Sequence, residues 1–256
     1  MTAFARPDPH VARRLGLWLL DRLVPPQCPL CGTPVERGPG LCPPCHSRLV
    51  LIGDPVHPVT GAPLPFTVEG DALDRFVTLS PPVYRRARAA VAFEGAGRDL
   101  VHALKYRDRH DCAPLMADLL AVRARAILDP EAVLVPVPLH WRRHWSRRFN
   151  QSALIADALA RRTGLDLVAD ALRRVRSTRP QVGLGEADRR ENVRRAFQVR
   201  HRRLPDIRGR TVILVDDVMT TGATVEAAAR TLMEAGAFAV DVACFAKVVN
   251  DADLPL

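Results

Sequence analysis

Two groups of side chains in this chain have the types and the spacing to do chemistry. The first is Cys28-x₂-Cys31-x₁₀-Cys42-x₂-Cys45. Two residues between paired cysteines let both sulfurs turn onto one ion, and Gly32 and Pro43-Pro44 suit such tight turns. Two pairs of this kind make a tetrahedral four-sulfur site, the set Zn²⁺ takes when its role is structural. Four thiolates leave no open coordination position, so the spacing predicts a zinc ion that folds a small module. Two disulfides are the competing reading, and they would need an oxidising compartment. Cys112 and Cys244 stand apart. Both are expected to pack rather than react, Cys244 as a buried strand residue.

The second group is Asp216-Asp217-Val218-Met219-Thr220-Thr221-Gly222-Ala223-Thr224. The continuous β-branched run 212–215 before it predicts a strand buried on both faces. Residues 225–235 have helical composition, with Gly236 as the stop. Strand, loop and helix in this order set the loop at the carboxyl edge of a parallel sheet, where α/β proteins bind ligands. Backbone N–H groups of 221–224 at the helix start would cradle a phosphate, with help from the helix dipole and the Thr hydroxyls. Asp216 and Asp217 would repel that phosphate, so they are expected to face hydroxyls or a cation. The competing reading is a strand that ends in solvated acids, with threonines that cap a helix. A Walker loop is excluded, because no Gly-Lys-Ser/Thr follows a strand.

These groups need a scaffold, and the composition allows one. The chain has 256 residues, 48% apolar and 25% charged, which excludes a disordered chain, a fibrous repeat and a membrane bundle. The apolar stretch 15–20 is far shorter than the roughly 20 residues that span a bilayer. An amphipathic helix over 11–24 is expected there instead. The remaining pattern predicts strands over 89–93, 133–137, 212–216 and 240–246, and helices over 115–128, 150–162 and 225–235. Fifteen of the 22 prolines precede residue 83, which predicts a loop-rich first third. The expected division is therefore 1–52 (helix and Cys₄ module), 53–82 (Pro-rich linker) and 83–256 (α/β domain). No internal repeat stands out, and His57 reads as a surface histidine.

Charge is concentrated. Residues 1–82 are neutral, whereas 141–210 carry 19 Arg against 7 acids. Only Lys105 and Lys247 are lysines. A basic block of this kind suggests nucleic acid, phosphates or an acidic partner, with a solvated helix surface as the alternative.

Residues 212–224 closely resemble the phosphoribosyl-pyrophosphate (PRPP) motif of type I phosphoribosyltransferases. Upstream stand Leu134-Val-Pro-Val-Pro138, then Arg142, Arg143, Arg147, Arg148, Phe149, Asn150 and Gln151. Thr178, Gln181, Leu184, Arg190, Asn192 and Ala196-Phe197 follow. With the Cys₄ module and Leu104-Lys105-Tyr106, the whole is similar to the ComF family of competence-associated, phosphoribosyltransferase-like proteins. The resemblance implies an α/β fold, a type I phosphoribosyltransferase-like parallel sheet flanked by helices, beside a small N-terminal zinc module. It implies Asp216 and Asp217 on the ribose 2′- and 3′-hydroxyls, and Thr220, Thr221, Gly222, Ala223 and Thr224 around the 5′-phosphate. Mg²⁺ would bridge pyrophosphate and ribose oxygens. Pro136, Val137, Pro138 and Arg147 would form the pyrophosphate loop, and Gln181, Arg190 and Asn192 the hood over the site.

Two departures stand out. Arg148 replaces a glycine found in many relatives, and residues 53–82 lack the second set of paired cysteines that some relatives carry. The expected function is Mg²⁺-dependent phosphoribosyl transfer to an unidentified acceptor, associated with DNA uptake. The alternative is a non-catalytic PRPP sensor, or an accessory protein that handles single-stranded DNA or contacts uptake proteins. Reduced thiols and the lack of a targeting segment lead to an expected cytoplasmic location without membrane insertion.

Overall fold

Seven strands and six helices are seen in a computed structural model that describes residues 26–36, 40–64, 81–139, 149–175 and 196–249. The expected helix over 11–24 lies outside these residues. So do Arg147 and the hood residues Gln181, Arg190 and Asn192.

The strands β1 (Arg86–Ala92), β2 (Val133–Pro136), β3 (Asp166–Leu167), β6 (Thr211–Met219) and β7 (Ala239–Lys247) form one parallel sheet in the order β1-β7-β6-β2-β3. A short antiparallel pair, β4 (Leu172–Arg174) and β5 (Phe197–Val199), stands beside it. The helices are α1 (Pro43–His46), α2 (Gly95–Tyr106), α3 (Cys112–Arg123), α4 (Gln151–Thr163), α5 (Leu204–Ile207) and α6 (Ala223–Glu234).

Alternation along the central strands explains the layers. Val212 and Leu214 face one core with Val133, Val135, Val240 and Val242, closed by Val225, Ala228 and Leu232 of α6 and by Leu172 and Phe197. Ile213 and Val215 face the other with Leu134, Ala243 and Phe245, closed by Leu100 and Leu104 of α2, Met116 and Leu120 of α3, and Ile155 and Leu159 of α4. A strand buried on both sides needs apolar residues at every position, which is why these runs show no period of two. Cys244 and Cys112 are fully buried, and burial pushes both thiols up, Cys112 to about 12. They pack, as expected.

Several boundaries differ from the sequence reading. β6 continues through Asp216 and Asp217 to Met219, because its ladder with β7 runs on to Met219 opposite Lys247. The helix expected over 115–128 begins at Cys112 and ends at Arg123, with a separate 3₁₀ turn at Arg125–Ile127. α2 and the β4–β5 pair were not expected.

Residues 50–64 lie along the free edge of β1. Ile52 N–H donates to Ala90 O at 3.0 Å, Ala92 N–H to Val50 O at 2.9 Å, and Ala87 N–H to Val59 O at 2.7 Å. His57, expected at the surface, is only 6% exposed. The reason is local: the turn aims the N–H groups of Val59 and Thr60 inward, and His57 Nδ1 accepts both at 3.1 Å. An internal repeat also exists, contrary to expectation. Pro26-Gln-Cys-Pro-Leu-Cys-Gly-Thr-Pro-Val35 recurs 29 residues later as Pro55-Val-His-Pro-Val-Thr-Gly-Ala-Pro-Leu64. Its signal is four shared Pro and Gly positions, hidden because His57 and Thr60 stand where Cys28 and Cys31 stand in the first copy.

Candidate functional site

At the carboxyl edge of the sheet, β6 delivers Asp216 and Asp217 side by side, each 8% exposed. Asp216 Oδ1 accepts the Ser152 hydroxyl at 2.9 Å and the Asp217 N–H at 2.9 Å. Ser152 comes from the first turn of α4, so that helix start holds the carboxylate in place. Asp217 Oδ2 lies 3.0 Å from Lys105 Nζ, near the end of α2. Burial, and next the charge of Asp217, push Asp216 up to about 7, while Ser152 and Lys105 pull the other way.

Beyond Met219 the chain turns through Thr220, Thr221 and Gly222 into α6. Gly222 is the N-cap, in the left-handed region at φ 79°, and no side chain caps the helix. A helix start without a side-chain cap is a place where backbone N–H groups can meet an anion. A Cβ on Gly222 would stand 3.1 Å from Met219 Cε. On the other side, Val137 N–H extends the ladder to Val215 O at 2.9 Å, and Asn150 Nδ2 donates to Val137 O at 3.1 Å. That bond ties the turn after β2 to the start of α4.

These parts enclose a cleft of about 270 Å³. Of the expected residues, Val137, Pro138, Asp216, Asp217, Thr220, Gly222 and Thr224 line it. Pro136 is buried within β2, and Thr221 and Ala223 are in the loop and first helical turn without lining the cleft. Lys105, Ser152, Phe93, Leu139 and Arg174 also line it and were not expected as site residues. Lys105 had a signal, as one of two lysines among 37 basic residues. Ser152 had none, because its role depends on where α4 starts. Gln151 beside it is fully buried, and its carboxamide has no hydrogen-bond partner among the described residues.

The basic block is placed differently from expectation. Among its described arginines only Arg174 lines the cleft, its guanidinium 5.4 Å from the Phe197 ring centroid. Arg202 and Arg203 pair with Asp170, and Arg210 with Asp166. Arg161 and Arg162 at the end of α4 pair with Asp157 and Asp118.

The four cysteines come together in the N-terminal module. Their sulfurs all lie within 4.8 Å of one another, the only such cluster of possible metal ligands among the described residues. Cys28 sits in the first turn, where its N–H donates to Thr33 O at 2.8 Å, and Cys45 rides on α1, where its N–H donates to Cys42 O at 3.0 Å. The Thr33 hydroxyl and N–H hold the Cys31 thiol down at about 6. Burial pushes Cys45 up to about 12. The donor set fits Zn²⁺ in a closed, structural site. No helix among the described residues is long and apolar enough to cross a membrane.

Comparison with known proteins agrees with both halves. A phosphoribosyl transferase domain matches residues 150–254, and a double zinc ribbon domain matches residues 19–74. The chain is 34% identical to the DNA utilization protein YhgH of Escherichia coli K12 over 233 residues, 88% of this chain and 99% of that protein. It is 32% identical to competence protein F of Haemophilus influenzae over 56% of this chain and 64% of that one. It is 26% identical to competence protein ComFC of Bacillus subtilis over 77% and 79%. The chain belongs to the ComF family, with a phosphoribosyltransferase domain behind a zinc-ribbon module.

Proposed function

We propose that the cleft binds PRPP and supports phosphoribosyl transfer in a protein of DNA uptake or utilisation. The observation that carries this reading is the pairing of two buried carboxylates with an uncapped, glycine-started helix in one cleft. Carboxylates accept hydrogen bonds from a sugar diol, and N–H groups at a helix start donate to a phosphate. Asp216 and Asp217 then hold the ribose 2′- and 3′-hydroxyls, and Thr220 to Thr224 hold the 5′-phosphate. Pro136, Val137 and Pro138 shape the turn that receives pyrophosphate, with Arg147, Arg190, Gln181 and Asn192 assigned to its charge and cover by family resemblance. Mg²⁺, when bound, would supply positive charge against the leaving pyrophosphate, with Asp216 and Asp217 the carboxylates that could face it in the cleft.

In the reaction the C1–O bond to pyrophosphate breaks, positive charge builds on the ribose, and an acceptor forms the new bond at C1. The protein's part is to position the sugar and to stabilise the leaving charge. Reduced zinc-binding thiolates support a cytoplasmic location. Replacing Asp216→Asn with Asp217→Asn is expected to lower PRPP affinity at least 100-fold by calorimetry, with the circular dichroism spectrum retained. Wild-type affinity in that folded variant would overturn the reading.

A second reading is favoured by the outward arginines. Arg200, Arg202 and Arg208 are exposed, away from the cleft. They suit an acidic partner such as single-stranded DNA, with the cleft acting as a sensor instead of an enzyme.

A further inference from the structure

The double zinc ribbon match spans residues 19–74, but four cysteines can serve only one of its two metal sites. The repeat shows what became of the other. In the first knuckle, Gly32 N–H donates to Cys28 O at 2.9 Å and Val35 N–H to Pro26 O at 2.8 Å. In the second, Gly61 N–H donates to His57 O at 2.9 Å and Leu64 N–H to Pro55 O at 3.0 Å. Cys28 N–H to Thr33 O and His57 N–H to Ala62 O are both 2.8 Å. The flanking bridges Gln27–Pro34 and Val56–Pro63 match, and so do the left-handed glycines Gly32 and Gly61, at φ 77° and 63°. The shift of 29 residues puts His57 in the place of Cys28 and Thr60 in the place of Cys31. In the sequence it puts Asp71 and Asp74 in the places of Cys42 and Cys45.

A knuckle turn aims two backbone N–H groups inward, and they need an acceptor. In the first knuckle the Cys28 sulfur takes the N–H groups of Leu30 and Cys31. In the second, the equivalent N–H groups of Val59 and Thr60 both point at His57 Nδ1. A ring nitrogen that accepts these bonds has its lone pair committed to the turn. Thr60 Oγ1 faces the Ala62 N–H at 3.4 Å, as Cys31 faces that of Thr33. A threonine hydroxyl is outside the donor set that zinc uses. The turn is also held from outside: Arg88 donates to Pro58 O at 3.0 Å, and a Cβ on Gly61 would stand 2.4 Å from Ala87 O.

We propose that residues 55–64 are a zinc knuckle that works without metal. The His57 ring satisfies the turn that a zinc-bound thiolate satisfies in the first knuckle, β1 clamps it, and the chain holds one zinc. The second ribbon thereby becomes a permanent bracket between the zinc module and the transferase-type sheet, and zinc loss acts on the first knuckle alone.

The test is made on the full chain, purified with zinc present. Metal analysis is expected to give one zinc per chain; two would overturn the proposal. On chelation, hydrogen exchange in 26–36 is expected to rise at least tenfold while 55–64 keeps its protection, and joint loss of protection would overturn it. His57→Ala is expected to speed exchange at Val59 and Thr60 at least tenfold with zinc still at one per chain; a drop in zinc would overturn it. Where His57→Ala does not fold, His57→Asn and His57→Cys carry the test, since an amide oxygen or a sulfur can accept the same N–H groups. Both are expected to restore protection with one zinc. A second zinc gained by His57→Cys would show that the other places still ligate, and would overturn the proposal.

Discussion

Asp216 is caught between burial, which favours its neutral form, and hydrogen bonds from Ser152 and the Asp217 N–H, which favour its charged form. Burial wins, and the group is pushed up to about 7 from an ordinary value of 3.8. Between those two pH values the folded state holds a proton that the unfolded state has released. Stability of the ligand-free protein therefore falls as pH rises from about 4 to about 7, contrary to the usual gain from carboxylates. Thermal unfolding from pH 5 to 8 is expected to show that slope, and Asp216→Asn to flatten it. The partners that shape the slope are Asp217, Lys105 and Ser152. At this scale the sequence was informative about types and silent about partners. Two adjacent acids before Thr-Thr-Gly announced a site, whereas Ser152 and Lys105 reach it only because two distant helices end there. The burial of His57 was hidden for the same reason, since it depends on a turn that packs against β1, far away in sequence.

Elements were legible in proportion to how many of their residues are buried. β6 and β7 carry apolar runs at 212–215 and 242–246 and were found, although their ends were placed short: Asp216 and Lys247 look like strand terminators but still pair across the ladder. β4 and β5, three residues each, carry too little pattern to be seen. α6 was placed almost correctly, and its start is its most demanding point. Gly222 must adopt a positive φ while Met219 presses close, so Gly222→Ala is expected to cost about 1–2 kcal/mol, the left-handed penalty for a residue with a Cβ. Urea unfolding measures that loss. Inorganic phosphate is expected to stabilise the wild type by binding at the helix start, and to stabilise this variant less, because its N–H groups are re-aimed.

Across the molecule, net charge was the easiest quantity to compute and the least direct to interpret. The basic block was expected to serve the cleft, yet its described arginines mostly face outward or pair with acids on the surface. Pairing of exposed charges contributes little stability, so these residues remain able to exchange partners. If they contact single-stranded DNA, the logarithm of affinity is expected to fall linearly with that of salt, at about 0.7 per contacted phosphate. Filter binding at several salt concentrations checks this, and a flat line would sink the DNA reading while leaving the cleft's assignment intact. Sequence composition revealed the two halves of the chain, zinc-bearing and α/β, because one is rich in proline and cysteine and the other in β-branched runs. What it hid was how they are joined.

That join has a consequence for solubility. β1 is an outermost strand of a parallel sheet, and its free side offers unpaired N–H and C=O groups in a row. Residues 50–59 occupy that row. A chain cut before residue 81 would lose the cover and bare a strand edge, the kind of surface on which sheets of separate molecules zip together. Residues 50–59 thus cover an edge on which another molecule's strand could otherwise pair.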